Sequence, residues 1–160
     1  MSNWLLQPAS AIGTGLSRVW QRQSCSPIVL CEHGVVIRRQ SASGYSKTVR
    51  LLVEGIERRG LTLFARIDHA AGAREAGMEL ADEEVLLVGN PRSGTPLMKD
   101  DPRAGLDLPL RILVWREGEE VLIGFHDPRA MSETYEIRSH QPILEHMAAL
   151  LEELAAEAGR

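Results

Sequence analysis

Aromatic side chains make up only 4 % of this 160-residue chain, cysteine occurs twice, and the formal net charge is −4. Nucleic-acid binding calls for a basic surface and usually for aromatic stacking platforms, so this composition argues against a nucleic-acid partner. Cys25 and Cys31 match no common zinc or redox spacing and read as two reduced thiols that are not joined. Cys31-Glu32-His33 supplies too few donors for a structural zinc, and no metal is expected. No apolar run approaches bilayer length, and Met1 to Pro8 lacks the basic start and apolar block of a secretion signal. The expected location is therefore the cytoplasm, with no membrane partner. A lysine is missing as well: Gly89 to Thr95 has the glycine spacing of a phosphate-binding loop, but nothing to hold the β and γ phosphates, which excludes a nucleoside triphosphatase.

What is present suffices for one ordinary globular core without disulfide or metal staples. Residues 1–32 read as an extension with scattered Ser, Gln, Gly and Pro. Trp4, Leu5, Leu6, Leu16, Val19 and Trp20 are interspersed, so the extension is expected to pack locally, the alternative being a partly ordered arm with a short helix near Leu16 to Arg22. Residues 33–160 read as a single α/β domain ending in a helix. Residues 1–80 carry ten basic and six acidic side chains, and residues 81–160 carry eight and sixteen. That asymmetry favours self-association or a partner docked on one face.

Val35 to Arg39 reads as the first strand of the main domain. Val49, Leu52, Val53 and Ile56 then recur at helical spacing, from a cap at Ser46 to Arg58-Arg59-Gly60. Leu61 to Ile67 alternates at strand period, Ala70 to Met78 is a short helix, and Glu84 to Asn90 is the third strand. Thr95 opens a helix of at most two turns. Leu110 to Arg116 and Glu120 to His126 form a hairpin about Glu117-Gly118-Glu119. Pro142 opens a last helix whose Ile143, Met147, Leu150, Leu151 and Leu154 share one face, with Glu152, Glu153 and Glu157 near its disfavoured, fraying end. Together these define an α+β fold, a two-layer sandwich with a mixed sheet of about five strands and helices mainly on one face.

Four stretches, in this order, resemble domain-of-unknown-function family 302, a group of small bacterial and archaeal proteins. They are Ser46-Lys47-Thr48-Val49, Gly60 through His69, Gly89-Asn90-Pro91 with Gly94 through Met98, and Gly105 through Leu110. The resemblance spans roughly residues 34–135. It implies a compact α/β domain that commonly forms homodimers, and no established reaction or cofactor. The extension before His33 has no counterpart in the minimal family domain, and Ala81-Asp82 replaces an Arg-Pro-like pair.

Five residues are candidates for a binding cleft: His69, Asn90, Gly94, Thr95 and Asp107. A helix starting near Thr95 would point free N–H groups outward beside Arg92, a cradle for an anion or carboxylate, although Gly94 and Thr95 are equally explained as a turn and a cap. His69 follows a strand beside Asp68 and reads either as a general base or as a structural histidine behind a capping aspartate. Asp107 lies between two leucines and needs a partner; Arg38 and Arg66 are candidates, as are backbone N–H groups in a turn. A Ser93, His69, Asp107 triad lacks a nucleophile-elbow sequence. The expected function is binding of a small polar or anionic ligand by a homodimer. The alternatives are an acid/base or hydrolytic enzyme using His69 and Asp107, and a structural or protein-interaction module.

Overall fold

The computed structural model describes residues 28–31 and 34–160. The readings that rest on Trp4, Trp20, Cys25 and the helix near Leu16 lie outside them. Six strands, β1 (Ile28–Cys31), β2 (Gly34–Ser41), β3 (Thr62–Asp68), β4 (Glu83–Gly89), β5 (Leu110–Glu117) and β6 (Glu120–His126), form one sheet in the order β1-β2-β6-β5-β4-β3. Every neighbouring pair is antiparallel, so the sheet is not mixed. The helical crossovers return the chain to the sheet's far edge and then step inward strand by strand, which leaves no parallel neighbours. β1 falls within the stretch read as an extension, yet it pairs with β2 as an edge strand.

The helices are α1 (Tyr45–Arg58), α2 (His69–Glu75), α3 (Pro91–Asp100), α4 (Met131–Thr134) and α5 (Gln141–Ala158). The core fills the space between one sheet face and α1 and α5. Leu86, Val88, Ile112, Val114 and Ile123 from the strands meet Leu52, Ile56, Leu144, Leu151 and Leu154 from the helices, all nearly inaccessible. Alternation along β4 and β5 sends Val85, Leu113 and Trp115 to the opposite face, where they are only half-buried. The result is the expected two-layer α+β sandwich with its large helices on one side.

Local chemistry shifts several boundaries. α1 begins after Gly44 with no side-chain cap, so Ser46 lies inside the helix, and it ends at Arg58, with Arg59 as its C-cap before Gly60, whose φ of 64° suits glycine. A bulge at Phe64 reverses the alternation along β3: Leu63 pairs with buried Val88, whereas Ala65 and Ile67 pair with Leu87 and Val85 on the open face. The buried stripe of α5 is rotated from the expected one, running through Leu144, Met147, Ala148, Leu151 and Ala155, with Ile143 and Leu150 only flanking it. Its acidic end is docked: Glu157 pairs with Arg58 and Arg59, and the Ala42 N–H bonds the Gly159 carbonyl at 2.8 Å.

Candidate functional site

Three elements converge over the open face of the sheet. The floor is Val36, Val85, Leu113 and Trp115, carried by β2, β4 and β5. Trp115 lies against Gly124 of β6, where a side chain would strike its ring. One wall is the head of α2 at His69, a second is the chain after the 3-10 turn Pro102–Leu106 at Asp107, and a third is the Pro128–Thr134 segment. They enclose an open cleft of about 910 Å³. That volume matches sites for small organic ligands, which are typically concave and mostly apolar with a few polar groups.

The cleft collects His69 and Asp107, residues far apart in sequence, and leaves the other candidates elsewhere. His69 is exposed as the first residue of α2, and Asp68 caps that helix by accepting the Ala71 N–H at 2.7 Å. Half-buried Asp107 accepts a hydrogen bond from the Tyr135 hydroxyl at 2.6 Å. Donation to that carboxylate, helped by burial, pushes the Tyr135 phenol above its ordinary pKa. Neither expected arginine reaches Asp107: Arg38 lies 4.0 Å from Glu117, and Arg66 is held by Glu84.

The anion cradle near Thr95 is not formed. α3 starts at Pro91, so Thr95 and Pro96 lie inside it, and Asn90 is the cap, its side chain accepting the Arg92 N–H at 2.9 Å. The next two N–H groups, of Ser93 and Gly94, bond the Asn90 carbonyl at 2.9 and 3.0 Å. Asn90 satisfies these donors with its side chain and carbonyl, while Pro91 takes the first helical position, so the helix opens before Thr95. Gly94 is buried against Leu108 rather than facing a ligand. Asn90 and Ser93 instead border a second, smaller cavity of about 330 Å³, with Arg59, His146 and the apolar face of α5. Ser93 therefore does not share a cleft with His69 and Asp107, and the triad is not assembled.

Sequence reasoning missed Trp115, Glu83, Arg111, His126 and Glu133, all of which line the main cleft. Strand parity carried the available signal. Glu83 pairs with Trp115 and Val85 with Leu113, so residues spaced by two on β4 and β5 share one face. Asp127 also borders the cleft, but Arg129 neutralises it at 2.7 Å. Among the described residues, the rim thus holds the carboxylates Glu83, Asp107 and Glu133, besides the Arg129-paired Asp127, together with the guanidinium of Arg111, whose Nη2 donates to the Leu106 carbonyl at 2.8 Å.

These features define an antiparallel α+β sandwich with a ligand-sized cleft on the sheet face opposite α1 and α5. The chain belongs to the family described as Domain of unknown function DUF302, whose model matches residues 37–156. The crystal structure of an uncharacterized conserved DUF302 protein from Bacillus stearothermophilus superposes with a TM-score of 0.70 at 17 % identity, over 78 % of this chain and 98 % of that one, and shares the fold. Among curated proteins, Fluoride-specific ion channel FluC 1 of Brucella suis biovar 1 (strain 1330) is 35 % identical over 99 residues, 61 % of this chain and 39 % of that protein. Fluoride-specific ion channel FluC 2 of Brucella melitensis biotype 1 (strain ATCC 23456 / CCUG 17765 / NCTC 10094 / 16M) matches equally over 37 % of its length. The chain thus matches about two fifths of these curated relatives. No helix among the described residues is long and apolar enough to cross a membrane.

Proposed function

We propose that this domain binds a small polar organic ligand in the 910 Å³ cleft, with the ligand's apolar body on Leu113 and Trp115 and its polar end among His69, Glu83 and Asp107. The observation that carries this reading is the composition of the cleft: an aromatic and aliphatic floor under a rim richer in carboxylates than in cations. Such a rim favours a neutral or cationic polar group and repels an anion, so of the expected polar or anionic ligands it favours the polar ones.

The names of the Brucella relatives make fluoride a ligand to test. Conduction through a bilayer needs spanning helices or a closed barrel, whereas the described sheet is open with β1 and β3 at its edges. An acid/base enzyme is less well supported, because the recorded partner of Asp107 is Tyr135 and not His69.

Native mass spectrometry of the protein purified from its own host tests the reading. A co-purifying organic molecule is expected, lost in Trp115→Ala and weakened by His69→Ala with the melting temperature nearly unchanged. Bare protein in every preparation, or saturable fluoride binding by ¹⁹F NMR with no organic ligand, overturns it.

A further inference from the structure

The second cavity, of about 330 Å³, lies between the sheet and α5, on the face opposite the main cleft. Its inner end is Val88 of β4 with Met147, Leu151 and Leu154 of α5, all nearly inaccessible, so the recess is apolar down to the core. Protein interiors pack with few voids larger than a water molecule, and a recess of this volume against the core stands at the lower end of the range taken by small-ligand sites.

The mouth of the recess is polar. Arg59 and Glu153 border it with opposite charges, Arg59 Nη2 and a Glu153 carboxylate oxygen lying 3.8 Å apart, beyond hydrogen-bond length. Arg59 Nη1 is already committed, at 2.9 Å to Glu157 and at 3.2 Å to the Gly55 carbonyl. Asn90 gives its side-chain oxygen to the Arg92 N–H, so what it offers a ligand is its amide donors, and the Ser93 hydroxyl stands beside it on the lining. Among the described residues, the remaining titratable group on the lining is the exposed His146.

We propose that this cavity binds an α-amino acid with an aliphatic side chain: carboxylate toward Arg59, Asn90 and Ser93, ammonium toward Glu153, side chain in the recess. The juxtaposed opposite charges select this class. A simple carboxylate would gain Arg59 but stand against Glu153, and a simple amine would meet the reverse, whereas an α-amino acid carries both charges on one carbon and meets a neighbouring guanidinium and carboxylate at once. The apolar inner end excludes a charged or polar side chain, which would lose its hydration there without a partner. The site uses no polar residue of the main cleft and is independent of the ligand proposed there.

L-Leucine is the probe, titrated into the full chain and followed by amide NMR. Saturable shifts should centre on Gly89, Ser93, His146 and Leu150. Isocaproate, which is leucine without its ammonium, should bind about threefold or more weakly, a modest loss because Glu153 is 66 % exposed. Isopentylamine, which lacks the carboxylate, should bind about tenfold or more weakly. Glu153→Gln should weaken leucine and strengthen isocaproate at an unchanged melting temperature, a crossed response that lost packing does not produce. Leucine binding no tighter than its two analogues would overturn the proposal, as would shifts centred on Leu113 and Trp115 of the main cleft, or no saturable shift up to the solubility limit. Parallel weakening of leucine and isocaproate in Glu153→Gln would refute the ammonium contact.

Discussion

A methyl group at position 124 would sit 2.8 and 3.1 Å from two Trp115 ring carbons, so glycine is what allows the indole to lie flat on β6. Gly124→Ala should cost about 1–3 kcal/mol by urea unfolding, because the rigid ring must lift from its strand. On a Trp115→Leu background the same change should cost under about 0.5 kcal/mol, the pair being coupled through that one contact. Equal costs on both backgrounds would place the strain elsewhere. The two tyrosines provide a spectroscopic check. Burial, then the Glu84 carboxylate, pushes the Tyr45 phenol up to about 12, and donation to Asp107 raises Tyr135. Neither should ionise at the usual phenol value in absorbance titration at 295 nm, and Asp107→Asn should lower only Tyr135. An acid whose folded pKa is raised stabilises fully below its unfolded pKa of about 10 and loses that contribution as pH rises toward the folded value. Stability should thus decline above pH 10 toward 12.

At the scale of elements, the end of α3 is tied to the linker before α5. Asp100 accepts the N–H groups of Arg138 and Ser139 at 3.0 and 3.1 Å and contacts His140 Nδ1 at 2.9 Å, while Asp101 accepts the Glu136 N–H at 3.1 Å and is clasped by Arg103. The Ser139 N–H, then His140, holds the Asp100 carboxyl below its usual range, and the Arg103 guanidinium holds Asp101 well below. Depressed carboxylates stabilise above their unfolded pKa of about 4 and lose that contribution as pH falls through the folded values. Acid should therefore release this linker, and Asp100→Asn should release it already at neutral pH. Hydrogen exchange at the Arg138 and Ser139 amides measures both effects; protection unchanged in the variant would mean that packing of Tyr135 and Ile137, not the carboxylates, holds the linker. The helical periods were legible in sequence because amphipathic spacing is local. The Phe64 bulge was not: it depends on how β3 meets β4, and one unpaired residue moved Ile67 from the expected inner set to the open face. α3 starts four residues before the expected Thr95 because Asn90 caps it and Pro91 suits its first turn. The donors that Asn90 satisfies fix that start.

For the whole molecule we propose a homodimer formed along the edge strand β3, where Phe64 is 52 % exposed. Light scattering should report twice the chain mass, and a monomer at tens of micromolar would count decisively against it. Sequence alone determined the composition class, the number and kind of most main-domain elements, the β5–β6 hairpin and the family, since each rests on local periodicity, turn chemistry or an ordered set of short motifs. Only the tertiary structure decided that every strand pairing is antiparallel, that His69 and Asp107 share a cleft while Asn90 and Ser93 border another, and that the cleft's rim is acidic. The physical reason is that pairing order brings together side chains from distant segments. The charge of a cleft belongs to that assembly, and no single stretch of chain contains it.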